Sequence, residues 1–577
     1  MSISKPAYTF QWKKLSIGSY ELWMIILVVA ASLLRFILIS NNWPTTNSDE
    51  ATMGLMAKHI AERGELPIFF YGQSYMGPIE AYVGALLVPL FGASTFTLRL
   101  GLLGFFSFFL ICMYYLNRLL YDRPLALATV GLLSLGSGDV LLHQLRGIGG
   151  YSEIIGLGAL LFLLASWLAL TTDPHGAAIS PATRRKRWLC YGLYGFLAGF
   201  SIWTDQLILP WLATTGLLLL LFCHRELRWR AAACVLVGLL IGAAPLIYYN
   251  LTAPLNDNSL TTLIGLQHAG AAQMAAQHIP AIRQLIGSLL YALPAITGIR
   301  PLCPVTVLPL FGPTTVQKYT CTAWQGSWTL GYLVLWGSAV RLAARQLWLQ
   351  WRQEPAQRQT PGERRYTILQ SARLLLLISA MLTLISYTIS PAAALVPGPT
   401  SRYLVCLQIA TPALLWPLWQ GFTGIQQAEN KRMQLAHIGR IALLLFIACI
   451  LLMGTVQTFQ DIPDAQQTYM QQENLVQSLS RIGATRIYSE YWTCNLLIFQ
   501  SNEHILCSDL DASLKPAFDR YHPYTIAVHQ GSVSTYVFQR GAAQLTSIEN
   551  RLQQSHIAYQ RYVFGNYIVY RTPEPLS

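Results

Sequence analysis

Residues 20–50 read Y-E-L-W-M-I-I-L-V-V-A-A-S-L-L-R-F-I-L-I-S-N-N-W-P-T-T-N-S-D-E. From Tyr20 to Ser40 the stretch is almost uncharged, and about 20 such residues suffice to cross a bilayer as a helix. The chain then emerges with Asn47-Ser48-Asp49-Glu50 and enters a long loop rich in aromatic residues. An acidic pair at the mouth of an apolar bundle is well placed for proton chemistry at the lipid–water boundary.

The apolar pattern recurs along the whole chain. Of 577 residues, 53% are hydrophobic and 11% charged, against about 25% charged in soluble domains. Spans are expected at 20–40, 96–117, 125–142, 154–171, 188–203, 207–222, 232–249, 328–344, 371–390, 403–420 and 441–457, about eleven in all. The expected fold class is therefore an α-helical polytopic membrane protein.

A formal charge of +13 raises the question of nucleic acid, but the basic residues sit in short loops between spans, which argues against that partner. Their alternation follows the excess of Lys and Arg in cytoplasmic loops. Lys13 and Lys14 precede the first span, and Arg118 and Arg123 follow the second. Arg184, Arg185, Lys186 and Arg187 follow the fourth, and Arg225, Arg228 and Arg230 the sixth. Arg345, Arg352, Arg358, Arg364 and Arg365 follow the eighth, and Lys431, Arg432 and Arg440 the tenth. This pattern predicts a cytoplasmic N-terminus and an extracytoplasmic tail, with the first span a retained anchor. Residues 79–91 (I-E-A-Y-V-G-A-L-L-V-P-L-F) are apolar but too short to cross comfortably. Counting them would turn the Arg clusters outward, so they read as a re-entrant or interfacial helix on the outer face.

The expected organisation is a membrane domain over 1–458, with outer loops at 41–95 and 250–327, and an extracytoplasmic α/β domain over 459–577. In the first loop, A-T-M-G-L-M-A-K-H-I-A-E-R-G predicts an amphipathic helix capped by Ser48 or Asp49 and stopped by Gly64. His59 on it reads as a surface residue. The Ala- and Gln-rich middle of the second loop predicts a helix within a partly ordered flap. In the tail, R-I-Y-S-E, H-I-L-C-S, T-I-A-V-H, T-Y-V-F-Q and N-Y-I-V-Y-R predict strands. Q-E-N-L-V-Q-S-L-S-R-I-G and L-T-S-I-E-N-R-L-Q-Q-S predict helices. No catalytic motif marks the tail, and an interaction or capping role is its expected function.

Of ten cysteines, Cys112, Cys190, Cys223, Cys234, Cys406 and Cys449 lie in or near spans as small packing residues. Cys303 with Cys321, and Cys494 with Cys507, form two local outer pairs. Each is either a disulfide, worth ~3 kcal/mol for a loop of this size, or two free thiols. There is no P-loop, GxGxxG, HExxH or GxSxG, so ATP-driven transport has no support in the sequence.

Charges beside membrane spans are costly and therefore informative. Asp49 and Glu50 are either a helix cap and first-turn acid or a general base with its neighbour. Glu80, in Y-G-Q-S-Y-M-G-P-I-E-A-Y, starts the short apolar helix, stabilising its dipole or serving the site. Tyr71, Gln73 and Tyr75 offer the stacking and hydrogen bonding that a sugar needs, or anchor the turn at the interface. Arg146 and Glu153 flank L-R-G-I-G-G-Y-S-E, as an ion pair or as site residues, and Asp205 caps an outer turn. Arg402, next to Tyr403 in P-G-P-T-S-R-Y-L-V, either binds a phosphate through two parallel hydrogen bonds or snorkels to lipid headgroups.

These motifs, in this order and on one side, form a layout that resembles the GT-C superfamily of polytopic glycosyltransferases. The similarity is greatest to the protein O-mannosyltransferase and aminoarabinose lipid A transferase branches, covering residues 20 to about 250 well and the later spans loosely. The resemblance implies a bacterial plasma-membrane (inner-membrane) enzyme using a polyprenyl-phosphate sugar donor on the outer face, with a lipid, glycan or protein acceptor. It puts Asp49 at the catalytic acidic position with Glu50 beside it, Glu80 at the acid of the loop turn, Glu153 at the acid before the fourth span, and Arg402 near the lipid phosphate. The Lys-Pro-Pro element of that turn is replaced here by Q-S-Y-M-G-P, and no W-W-D motif occurs. The implied reaction is a single inverting displacement with Asp49 as base. It requires no cofactor, and a divalent cation between the acids is compatible with so many carboxylates. The rival reading is a transporter or flippase for a lipid-linked saccharide, although no internal repeat of the kind common in transporters is visible.

Overall fold

The computed structural model describes residues 18–172, 180–352, 360–424, 431–531 and 534–573. Lys13, Lys14 and Arg358 lie outside them. The apolar runs form helices α1 (Ser19–Ser40), α2 (Ser48–Arg63), α3 (Ile79–Phe91), α4 (Thr95–Leu120), α5 (Arg123–Ser134), α6 (Gly138–Leu145), α7 (Tyr151–Thr171) and α8 (Pro181–Thr204). Later helices include Leu209–Cys223, Trp229–Gly242, Val316–Trp351, Pro361–Thr388, Thr411–Gly424 and Lys431–Gln460.

Eleven straight spans are expected from the sequence, and the described residues are more irregular. Six helices are long and apolar enough to cross a membrane, or up to eight if two bent pairs each count as one span. The expected span 125–142 is such a pair: α5 and α6 meet at 89° across Leu135–Ser137. The expected span 232–249 bends by 61° near Ala243, just before Pro245. Proline removes an amide donor and so favours a break there. The start of the expected span 403–420 is a 3-10 helix, Ser401–Ala410. Helix α3 spans 13 residues and leaves Leu86, Leu90 and Phe91 exposed on one apolar face.

Close backbone packing joins α8 to the helix Trp229–Gly242. A Cβ added to Gly195 would lie 2.0 Å from the Val235 carbonyl oxygen, and one on Gly238 would lie 2.1 Å from that of Gly192. Only glycine permits helices to approach this closely, a recurrent device in membranes.

The basic ends of the helices gather at one end of the bundle. Arg118 donates to Glu21 at 2.6 Å, Arg364 donates to the carbonyls of Thr172 and Phe222, and Arg373 to that of Leu120. Arg364 and Arg373 thereby satisfy carbonyls left over at helix C-termini. The acids Asp49, Glu80, Glu153 and Asp205 lie at the opposite helix ends.

Helix α2 is capped by Asn47, whose side chain accepts from the Glu50 amide, rather than by Ser48 or Asp49, and Gly64 ends it in the left-handed conformation. It is not a surface helix. Every residue from Ser48 to His59 is buried. Met53, Met56 and Ala57 join the core of the bundle, whereas Ala51 and Leu55 join the core of the tail. His59, expected at the surface, is wholly buried because the tail covers it.

The tail starts with the helix Ile462–Arg481 and builds a five-stranded sheet from β1 (Arg486–Ser489), β2 (Leu506–Asp509), β3 (Ser534–Gln539), β4 (Gln560–Phe564) and β5 (Tyr567–Thr572), in the order β2-β1-β3-β5-β4. Strands β1, β2 and β3 are parallel, while β5 pairs antiparallel with both β3 and β4. The expected strand T-I-A-V-H is instead the end of the helix His522–His529. A parallel β2–β3 connection needs a crossover element, and a helix with Pro523 in its first turn supplies it. The strand β4 is not anticipated from the sequence. Both outer cysteine pairs form disulfides, Cys303–Cys321 and Cys494–Cys507.

Candidate active site

The acids at the end of the bundle come from four separate segments. Asp49 and Glu50 begin α2, Glu80 begins α3, Glu153 begins α7, and Asp205 follows α8. The loop before α7 draws them together. Its glycines Gly149 and Gly150 have φ of +104° and +78°, a region that suits residues without a Cβ. A Cβ on Gly150 would sit 3.0 Å from that of Asp205, and one on Gly149 would strike Met76 at 2.3 Å. With no side chains there, the Gly149 amide donates to Glu80 Oε2 at 3.0 Å, and the Gly147 amide to Glu50 Oε1 at 3.3 Å.

Glu80 and Glu153 are both buried and lie within electrostatic reach of each other. Glu80 Oε1 and both oxygens of Glu153 have no hydrogen-bond partner among the described residues. Burial raises Glu80 well above the usual carboxylate range, against the Gly149 hydrogen bond, and the nearby charge of Glu50 adds to the rise. Two carboxyls in one low-dielectric site cannot both ionise cheaply. Burial also pushes Asp205 up to about 7, opposed by the Leu207 amide and by Arg402.

Arg402 stands at the start of the 3-10 helix Ser401–Ala410, with its guanidinium carbon 5.1 Å from the Tyr151 ring centroid and 5.8 Å from that of Tyr403. It feels the charges of Asp49, Glu80 and Asp205, and its Nε has no hydrogen-bond partner. Tyr75 lies within the field of both Arg402 and Arg520. Arg146 donates to the Thr45 carbonyl at 2.6 Å and stands within electrostatic reach of Asp49, Glu50 and Arg402. Six of the expected site residues thus share one neighbourhood with Asp49: Glu80, Glu153, Tyr75, Arg146, Arg402 and Tyr403.

Three expected residues are placed otherwise. Glu50 is closed into a two-pronged ion pair with Arg99, at 2.8 and 2.6 Å, and is structural. Tyr71 gives its hydroxyl to Glu65 and meets His59 Nδ1 at 3.0 Å, within the seam between bundle and tail. The Gln73 amide closes the 70–73 turn on the Phe70 carbonyl. The sequence reading misses Arg520 and Tyr491, which both reach Asp49 from the tail. Nothing in the local pattern of either residue marks it out.

The bundle also holds an apolar cavity of about 350 Å³, whose walls include Leu133, Val140, Trp328, Leu407, Leu415 and Ile447. Leu407 and Gln408 of its lining belong to the same 3-10 helix as Arg402. As for metal ligands, the tight group among the described residues is Cys494, Cys507 and Asp509. Its two cysteines are joined in a disulfide and supply no thiolate.

No family model matches the chain, and no curated protein does. ArnT from Cupriavidus metallidurans, in a structure bound to undecaprenyl phosphate, is similar over 95% of this chain and 98% of its own, with a TM-score of 0.50 at 14% identity. This chain has the fold of ArnT. The apo state of the same ArnT matches with a TM-score of 0.49 at 13% identity, covering 96% of this chain and 98% of that one. The oligosaccharyltransferase AglB from Archaeoglobus fulgidus, in complex with an inhibitory peptide and a dolichol-phosphate, matches with a TM-score of 0.46 at 12% identity over 97% of this chain and 75% of its own. Among the described residues of this chain, six helices long and apolar enough to cross a membrane, or eight with the bent pairs, fit the polytopic architecture expected from the sequence.

Proposed function

We propose that the protein transfers a sugar from a polyprenyl-phosphate donor to an acceptor hydroxyl on the outer face of a bacterial plasma membrane. The observation that carries this reading is the meeting of Asp49, Glu80, Glu153 and Arg402 at the bundle end opposite its basic helix ends, in a bundle that also holds an apolar cavity. By the positive-inside rule, the acidic end faces outward and the N-terminus lies in the cytoplasm.

The donor enters from the lipid with its prenyl chain along the cavity and its phosphate at Arg402. A guanidinium there offsets the charge that grows on phosphate as the glycosidic bond breaks. Asp49 removes the proton of the acceptor hydroxyl while that oxygen bonds to the anomeric carbon. The bond from that carbon to the phosphate oxygen breaks, and polyprenyl phosphate departs with the electron pair. One displacement inverts the anomeric centre. General base catalysis contributes ~10²–10⁴-fold, and positioning by the enclosed site contributes much of the rest. Glu80 and Glu153 orient the sugar. No cofactor is needed for this scheme. The unpartnered oxygens of Glu80 and Glu153 are where a divalent cation would be held.

The test is turnover by the purified full-length protein in detergent, with a panel of undecaprenyl-phosphate hexoses and pentoses as donors and an envelope extract as acceptor pool. Release of undecaprenyl phosphate, lost in Asp49→Asn, is the expected result. A well-folded Asp49→Asn that turns over normally removes Asp49 from the mechanism. A protein with no turnover at all, but with movement of lipid-linked sugar across sealed vesicles, is a flippase instead.

A further inference from the structure

Asp49 is gripped from the tail. Arg520 Nη2 donates to Asp49 Oδ1 at 2.7 Å, and the Tyr491 hydroxyl donates to the same oxygen. Among the described residues, no hydrogen bond reaches Oδ2. One carboxylate oxygen is therefore anchored, and the other is left for a different partner.

Arg520 is itself held on every side. Its Nε donates to Tyr491 Oη at 2.8 Å and its Nη1 to the Tyr71 carbonyl at 3.0 Å. Its guanidinium carbon lies 4.5 Å from the Phe70 ring centroid, 4.8 Å from that of Phe518 and 5.4 Å from that of Tyr491. The planar fork is thus clamped by aromatic rings from both domains, and only one of its bonds goes to a charged group. Such an arrangement fixes direction better than a lone lysine would.

This grip is separate from what attaches the tail. Glu503 accepts from Lys58, His59, Arg63 and Tyr524. Phe499 presses on Gly54 so closely that a Cβ there would lie 2.3 Å from its ring. Docking would hold without Arg520, whose cation is placed on Asp49.

We propose that Arg520, with Tyr491, is a positioning residue for Asp49, so that the C-terminal domain is an integral part of the reaction centre. This rests on the reading of Asp49 as the base. A base whose orientation is fixed by a third group is a general requirement of proton abstraction in enclosed sites, and a misplacement of about 1 Å can cost about 10²-fold in rate. Here Oδ1 is the fixed end, and Oδ2 is the atom that takes the acceptor proton.

The experiment compares wild type, Arg520→Ala, Arg520→Lys, Tyr491→Phe and Asp49→Asn as full-length proteins in detergent, using whichever donor of the panel above supports turnover. Thermal unfolding is measured alongside. Arg520→Ala is expected to lower kcat about 10²-fold with KM for the donor within about twofold of wild type. Arg520→Lys and Tyr491→Phe are expected to fall between, and added methylguanidine to restore Arg520→Ala in part. A second readout needs no donor: labelling by a water-soluble carbodiimide, read by peptide mass spectrometry. It should rise several-fold at Asp49 in Arg520→Ala, with Glu50 unchanged as internal control. Should Arg520→Ala fail to fold, the lysine and phenylalanine variants decide by the same readouts. Normal kcat and unchanged Asp49 labelling in folded variants, with Asp49→Asn inactive, would overturn the inference while sparing the base. An active Asp49→Asn would overturn both.

Discussion

Glu50 and Arg99 bury a complete two-pronged ion pair, at 2.8 and 2.6 Å, directly beside the carboxylate proposed to do the chemistry. Neither residue is more than 1% exposed. The Gly147 amide and Thr46 hydroxyl complete the arrangement, so the loop before α7, the start of α2 and the start of α4 meet at one charge pair.

Breaking that pair should act on folding rather than on chemistry. Removal of one partner strands a buried charge, at a cost of about 3–5 kcal/mol. Glu50→Gln and Arg99→Met are therefore expected to lower the unfolding midpoint in detergent sharply. Equal midpoints for Glu50→Gln and wild type would show that the pair bears no structural weight.

Arg402 should govern donor affinity. A hydrogen bond to a charged group is worth about 1.5–3 kcal/mol, or roughly 10- to 150-fold in Kd. Arg402→Ala is expected to weaken undecaprenyl phosphate binding by that factor in a calorimetric titration. Arg402→Lys should recover part of it, since the charge remains and the fork does not. Unaltered affinity in Arg402→Ala would place the phosphate elsewhere.

The seam between bundle and tail should open in acid. Burial by itself would raise Glu503, but hydrogen bonds from His59, Lys58, Tyr524 and Arg63 carry it well below the usual carboxylate range. A carboxyl lowered in the folded state adds stability that is fully present above its unfolded pKa, about 4.3, and is lost as pH falls toward the folded value. Amide exchange in residues 491–503 is thus expected to stay slow at pH 7 and 5 and to accelerate below about pH 4. Glu503→Gln should exchange faster at neutral pH and lose most of that dependence. A flat profile in the wild type would show that Glu503 does not govern docking.

Much of this molecule is legible in its residues. Apolar runs between basic clusters give the bundle, and alternating short runs give the sheet. Single-site logic singles out Asp49, Glu80, Glu153 and Arg402, because a charge at the end of an apolar run needs a reason to be there. What it misses depends on parts of the chain that meet only after folding. His59 reads as a surface residue because nothing near it in sequence announces that Tyr521 and Tyr524 will cover it. Arg520 lies among loop residues and shows its purpose only through a partner 471 positions away. The segment 525–529 carries β-branched residues, but the parallel crossover overrides that local preference.

Helix α2 belongs to two cores at once, giving Met53 and Met56 to one and Ala51 and Leu55 to the other. A boundary drawn at residue 458 is therefore a boundary in sequence only. Chimaeras that exchange the tail between relatives would have to exchange residues 48–63 with it, and a tail expressed alone would display a raw hydrophobic imprint where that helix belongs. The two halves can drift in sequence only in step, each acting as the mould for one side of the same sixteen-residue casting.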